Sequence, residues 1–132
     1  MLKKLIHRSP RILIVEDEKL IGWSIANVLH KLGYDTAVIT CGKRAKEILR
    51  TTEFDFVITD LHLPSFSGLE IVSDVKKMNF NIPVLLISTL EEDEIHTLHK
   101  KYNIDYIIPK PFDLTQITSI VQNCLEYQYV AE

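Results

Sequence analysis

The sequence predicts an α/β domain built on a doubly wound five-stranded parallel sheet, and three observations predict it. Short apolar, β-branched runs alternate strictly with segments of helical period along the chain. Four of the five runs lack polar alternation, as strands covered by helices on both faces do. The chain has 132 residues, 46% hydrophobic and 25% charged, which is the size and composition of one globular core.

The elements follow in order. Residues 1–10 read as a lead-in, with Pro10 marking the edge of a first strand over Arg11 to Val15. A helix is expected over Lys19 to Leu32, closed by Gly33. On its wheel Ile21, Ile25, Val28, Leu29 and Leu32 form one stripe, and Trp23 falls on the opposite side. An exposed tryptophan suggests a docking surface, since aromatic residues are enriched in interface hot spots; the competing reading is cover by a neighbouring loop. A second strand over Tyr34 to Ile39 precedes a helix over Lys43 to Thr51. The third strand, Phe54 to Thr59, delivers Asp60 to the mouth of a breaker-rich loop, Leu61 to Ser67. A helix over Gly68 to Met78, a strand over Pro83 to Ser88, a helix over Glu92 to Tyr102 and a strand over Asp105 to Ile108 come next. The last helix runs from Asp113 to about Tyr127, so the domain is bounded at 11–128 with a tail at 129–132. Strict alternation implies right-handed crossovers.

Composition narrows the partners. The formal charge of -3 lacks the basic footprint that nucleic-acid binding needs, and no Lys or Arg follows Lys110. Neither nucleic acid nor anionic lipid is therefore an expected partner of this domain. Cys41 and Cys124 lack CxxC spacing and read as reduced, structural residues. The start of the chain carries an apolar run too short for a signal peptide, and no span approaches a membrane helix, so the expected compartment is the cytoplasm. Its beginning at Met1 and its end soon after the last helix are those expected of a stand-alone domain.

The chemistry is expected between residues 16 and 60. In an open α/β sheet ligands bind at the carboxyl ends of the strands. Asp60 ends the third strand there, and Glu16-Asp17-Glu18 follows the first. Carboxylates gathered at such an edge repel one another and suit a hard, oxygen-seeking cation or a lysine. Lys110, held between Pro109 and Pro111 after the fifth strand, is the expected lysine. The four glycines form neither GxGxxG nor GxxxxGK[ST], which excludes dinucleotide and P-loop readings. An acidic cluster alone could merely favour a helix N-terminus, and Lys110 could be a plain turn residue. Glu92, His96 and His99 share one helical face, but the surrounding charges make it a solvated surface rather than a transition-metal site.

Taken together, Glu16-Asp17, Asp60 with Pro64 and Gly68 behind it, Ser88, and Lys110-Pro111-Phe112 resemble the receiver domain of bacterial response regulators in two-component and phosphorelay signalling. The resemblance covers nearly all of residues 11 to 127 and rests on five elements in order, each at its own strand end. It implies a flavodoxin-like sheet in the order 2-1-3-4-5. It also implies Asp60 as phosphoacceptor, taking phosphate from a sensor histidine kinase or a histidine phosphotransfer protein. Glu16, Asp17, Asp60 and the backbone carbonyl of His62 would hold Mg²⁺, with Mn²⁺ as an alternative, while Lys110 and Ser88 would contact the phosphoryl group.

Three positions depart from the pattern. Ile107 stands where the family commonly has an inward-swinging aromatic residue, and Tyr106, one residue away, belongs to the other face of its strand. Thr89 stands where alanine or glycine is preferred, and its bulk would restrict attacking water. Asn103 replaces a glycine and tolerates the left-handed conformation. The expected role is a phosphorylation switch of protein-protein contacts rather than an enzyme acting on external substrates. Because no basic residue follows Lys110, the resemblance does not extend to dimerisation through Arg-carboxylate pairs across the fourth and fifth helices. A degenerate, phosphorylation-independent adaptor is the alternative, which intact Glu16, Asp17, Asp60 and Lys110 disfavour. An aspartyl-phosphate hydrolase shares the nucleophile but would need an acid at His62.

Overall fold

Apolar strands that cannot tolerate water dictate the centre of the molecule. The computed structural model describes residues 9–79 and 81–130. Residues 1–8 of the expected lead-in and 131–132 of the expected tail lie outside the described residues. Three runs, β1 (Arg11–Val15), β3 (Phe56–Asp60) and β6 (Val84–Ser88), are buried almost throughout. They form the middle of a parallel sheet whose edges are β2 (Asp35–Ile39) and β7 (Tyr106–Pro109). The order β2-β1-β3-β6-β7 is the 2-1-3-4-5 order of the five sheet strands in sequence.

Helices cover both faces, which explains why the central strands read as unbroken apolar runs. On one face α1 (Lys19–Lys31) and α5 (Leu114–Val130) bury Ile25, Leu29, Ile117, Val121 and Leu125 against Ile12, Ile14, Phe56, Ile58, Leu85 and Ile87. On the other, α2 (Gly42–Thr51) and α3 (Gly68–Met78) bury Ala45, Leu49, Ile71, Val72 and Val75 against Leu13, Val15, Val57 and Leu86. Each fully buried Ile, Leu or Phe contributes about 1.5–3 kcal/mol relative to exposure, so these two layers carry the fold. Leu98 and Tyr102 of α4 (Glu92–Tyr102) are only partly buried against this second layer, and α4 buries no residue completely. Its ends are fixed locally instead. Glu91 and Glu94 form a capping box at its start, and Asn103, at φ 55, closes it in the left-handed conformation that the sequence reading allowed for asparagine.

Several details differ from the sequence reading. Leu32, assigned to the buried stripe of α1, is 43% exposed, because the helix has already ended at Lys31 and the chain turns through Gly33 at φ 96. Strand β2 begins one residue later than expected, since the Tyr34 N–H still bonds back to the Leu29 carbonyl. Strand β3 begins two residues late; the Asp55 N–H donates to the Arg11 carbonyl at 2.8 Å, but it is the Asp55 side chain that accepts the Arg11 N–H, at 2.8 Å. The loop after Asp60 contains a small antiparallel hairpin, β4 (His62–Leu63) paired with β5 (Phe66–Ser67), turned at Pro64 and at Ser65 with φ 56. Helix α5 also continues to Val130, so residues 129–130 of the expected tail are helical.

Candidate functional site

Parallel pairing brings the carboxyl ends of β1 and β3 together. Val15 pairs with Thr59, so Glu16 and Asp60 leave adjacent central strands side by side. The Glu16 N–H extends the ladder to the Ile39 carbonyl at 3.1 Å, and Asp60 pairs with Ile87. One residue further along β6 is Ser88, whose carbonyl accepts the Lys110 N–H at 2.9 Å. Asp60, Glu16, Ser88 and Lys110 thus share one sheet edge because their strands run in one direction.

Ligand oxygens of Glu16, Asp17 and Asp60 lie within 4.8 Å of one another. Glu16 and Asp60 are buried, while Asp17 is exposed at the rim. Both Asp60 oxygens and Oε1 of Glu16 are shut off from water without a hydrogen-bond partner. The Lys110 ammonium faces them, 3.1 Å from Asp60 Oδ1 and 3.6 Å from Glu16 Oε1. A buried charge without compensation is costly, so this arrangement calls for further positive charge.

The titration behaviour reports the same crowding. Burial, together with the neighbouring Asp60 carboxyl, pushes the Glu16 carboxyl up to about 8, against the opposing pull of the Glu18 N–H and Lys110. Burial works to lower the Lys110 pKa, but the Asp60 carboxylate, with Glu16 and Glu18 behind it, outweighs burial and raises it. Glu16 Oε2 accepts the Glu18 N–H at 3.1 Å, which aims the other oxygen inward. Glu16, Asp17 and Asp60 are the set able to hold a divalent cation, and their donor-poor oxygens fit a hard ion better than a fixed hydrogen-bond network.

The loop that follows Asp60 is held rigidly. Gly68 packs so closely on the Asp60 backbone that an added Cβ would collide with its carbonyl oxygen. The Gly68 N–H bonds to the Leu61 carbonyl at 2.7 Å, and Ser67 caps α3 by accepting the Leu69 N–H at 3.1 Å. Phe66 lies against Gly42 and under Lys46, whose ammonium is 5.7 Å from the ring centroid. Hairpin, α2 and α3 therefore brace the Asp60 loop. Sequence reasoning missed Phe66 and Lys46, because nothing local marks a contact between elements so far apart in the chain.

The remaining candidate residues fall into place around this pocket. Ser88 is buried, and its Oγ accepts the Leu90 N–H at 2.9 Å, while Thr89 points to solvent. His62 has an exposed side chain on β4. Ile107 packs with the α2 and α3 layer, whereas Tyr106 packs with the α1 and α5 layer and meets Cys124 Sγ at 3.1 Å, so the two occupy opposite faces. Trp23 is 60% exposed, with Leu20 at 75% one turn away. His96 is exposed, and His99 Nδ1 bonds the Ile104 carbonyl at 2.9 Å. Cys41 is exposed at the start of α2 rather than packed as a small apolar residue, because an N-terminal cap position faces solvent. Among the described residues no helix is long and apolar enough to cross a membrane.

Known proteins resemble this chain in sequence and fold. The family profile described as the response regulator receiver domain matches residues 12–122. The response regulator SaeR of Staphylococcus epidermidis is 34% identical over 116 residues, covering 86% of this chain and 49% of SaeR. The transcriptional regulatory protein QseB of Escherichia coli O157:H7 is 32% identical over 109 residues, covering 83% of this chain and 50% of QseB. The chain thus spans about half the length of the curated relatives it matches. Among solved structures, the receiver domain of the Francisella response regulator 1452 superposes with a TM-score of 0.82 at 27% identity, over 91% of this chain and 99% of that one. With a family match across nearly the whole sheet and the same topology beneath it, this chain belongs to the response regulator receiver domain family.

Proposed function

We propose that the domain, residues 11–128, is a cytoplasmic phosphorylation switch whose phosphoacceptor is Asp60. The observation that carries this reading is a buried aspartate whose Oδ1 lies 3.1 Å from a lysine ammonium, beside two further carboxylates at the same sheet edge. The donor is a phosphohistidine on a sensor kinase or a histidine phosphotransfer protein. An Asp60 oxygen attacks phosphorus; the new P–O bond forms as the P–N bond breaks, and the electron pair leaves on the imidazole nitrogen, which solvent protonates. Phosphoryl transfer asks the protein for positioning and charge neutralisation above all. Lys110 supplies one positive charge at the reacting carboxylate. Glu16, Asp17, Asp60 and the His62 carbonyl would hold Mg²⁺, or Mn²⁺ in its place, which supplies Lewis-acid neutralisation of phosphoryl oxygens when bound.

Ser88 contributes after transfer. Its hydroxyl, which accepts the Leu90 N–H, turns to donate its own O–H to a phosphoryl oxygen and draws the segment from Thr89 to Tyr102 with it, because acyl phosphate adds about -1.5 to -2 charge at the pocket. That segment is the weakly buried α4, the part of the fold with least to lose by moving. The output is a changed protein-protein contact, and the domain acts on itself rather than on an external substrate. Mg²⁺ with acetyl phosphate should add one phosphoryl group to the wild type and none to Asp60→Asn, read by intact-mass spectrometry. An unmodified wild type would favour the adaptor reading, and repeated turnover of an external phosphate ester would favour a hydrolase.

A further inference from the structure

Gly22, buried, is the fourth residue of α1, at the end of its first turn, where a glycine weakens a helix relative to alanine. The helix tolerates this although no side chain caps its N-terminus. Space explains it. A Cβ at Gly22 would stand 2.8 Å from Val38 Cγ1 on β2, and 3.5 and 3.6 Å from Cβ and Cγ of Glu16. The Val38 contact is closer than real Cβ atoms approach, so a side chain at Gly22 would force Val38 or α1 itself to shift. Only glycine lets α1 sit down on β2 and along the stem of Glu16.

That seating is connected to the acidic pocket by consecutive bonds. The Gly22 N–H donates to the Glu18 carbonyl at 3.0 Å, and the Glu18 N–H donates to Glu16 Oε2 at 3.1 Å. Glu16 Oε1 is thereby turned toward Asp60 and Lys110, buried and without a hydrogen-bond partner. Lifting α1 off β2 would lift the 16–18 loop with it, and that loop carries two of the three pocket carboxylates.

We infer that Gly22 is a positioning residue of the pocket: by lacking a side chain it seats α1 on Val38 and fixes how far the Glu16 carboxylate reaches toward Asp60. The inference rests on reading the pocket as a divalent-cation site. It requires that a residue touching neither ion nor phosphate alter cation affinity through the groups that orient the ligands.

The test is a MgCl₂ titration of the full chain, followed by the fluorescence of Trp23, the only tryptophan and the next residue on α1. Gly22→Ala should bind Mg²⁺ about tenfold more weakly than wild type, in the range that loss of ligand-orienting contacts produces. Gly22→Ala/Val38→Ala, which removes the methyl that the new Cβ meets, should recover affinity to within about twofold of the Val38→Ala control. A merely structural role would lower the melting temperature of Gly22→Ala while leaving its Mg²⁺ affinity at the wild-type value. Wild-type affinity in Gly22→Ala, or an unrescued double variant that retains its far-ultraviolet circular dichroism, would overturn the inference. A wild type that shows no Mg²⁺ binding by fluorescence or by isothermal titration calorimetry would overturn the cation reading of the pocket and the inference with it. If Gly22→Ala does not fold, the double variant still decides against its Val38→Ala control.

Discussion

Glu16 is the residue at which stability and the proposed cation site pull apart. Its carboxyl is pushed up from an ordinary 4.5 to about 8 by burial and by Asp60. Between those values the folded protein keeps a proton that the unfolded chain has already released, so metal-free stability falls as pH rises through the window. Thermal melting of the Mg²⁺-free protein should therefore drop from about pH 5 to about pH 8, and the drop should shrink in Glu16→Gln, which cannot ionise. At the upper end Glu16→Gln should melt above wild type, while Mg²⁺ should stabilise wild type more than the variant. A melting temperature that is flat or rising over this range in wild type would contradict the account. The sequence already showed Glu16 as an acid at a strand end, but its burial and its shared site with Asp60 depend on β1 and β3 lying side by side, which local pattern does not contain.

At the scale of elements, the sheet is rigid and α4 is the element left loose. Strands β3 and β6 are buried throughout, whereas α4 buries no residue completely, packs through the half-buried Leu98 and Tyr102, and has its ends fixed by its capping box and by Asn103. Its neighbour α5 carries no lysine or arginine from Leu114 to Val130. Basic partners for a symmetric contact through these two helices would have to come from α4 alone, where Lys100 and Lys101 sit in the last turn. Activation should accordingly leave the domain monomeric through this face. Sedimentation velocity with and without beryllofluoride checks it, and a dimer appearing only in the activated sample and closed by α4 and α5 would be the opposite result. Element boundaries show what the sequence could and could not supply. Helix α4 was legible to the residue, because a capping box and a left-handed asparagine are local signals. The β4–β5 hairpin was not, since two-residue strands have no periodicity and exist only because α2 and α3 brace Phe66.

For the whole molecule, topology was legible because a parallel sheet covered on both faces writes itself into long apolar runs, and strict alternation leaves few ways to connect them. Trp23 also read correctly as lying off the buried stripe, while Leu32 did not, because a helical wheel does not know where the helix stops. What the sequence could not show was distance: the approach of Gly68 to the Asp60 carbonyl, or of Gly22 to Val38, appears only after folding. The first of these contacts bears on Asp60 and the second on its neighbour Glu16, and the role proposed for Asp60 is to accept one phosphoryl group from phosphohistidine. The direct measurement is intact-mass spectrometry of the chain and a phosphorylated histidine phosphotransfer protein mixed with Mg²⁺. The account predicts one phosphoryl group lost by the donor and one gained by the wild type, with none gained by Asp60→Asn; transfer that persists in Asp60→Asn, or a wild type that gains nothing while the donor stays charged, would contradict it.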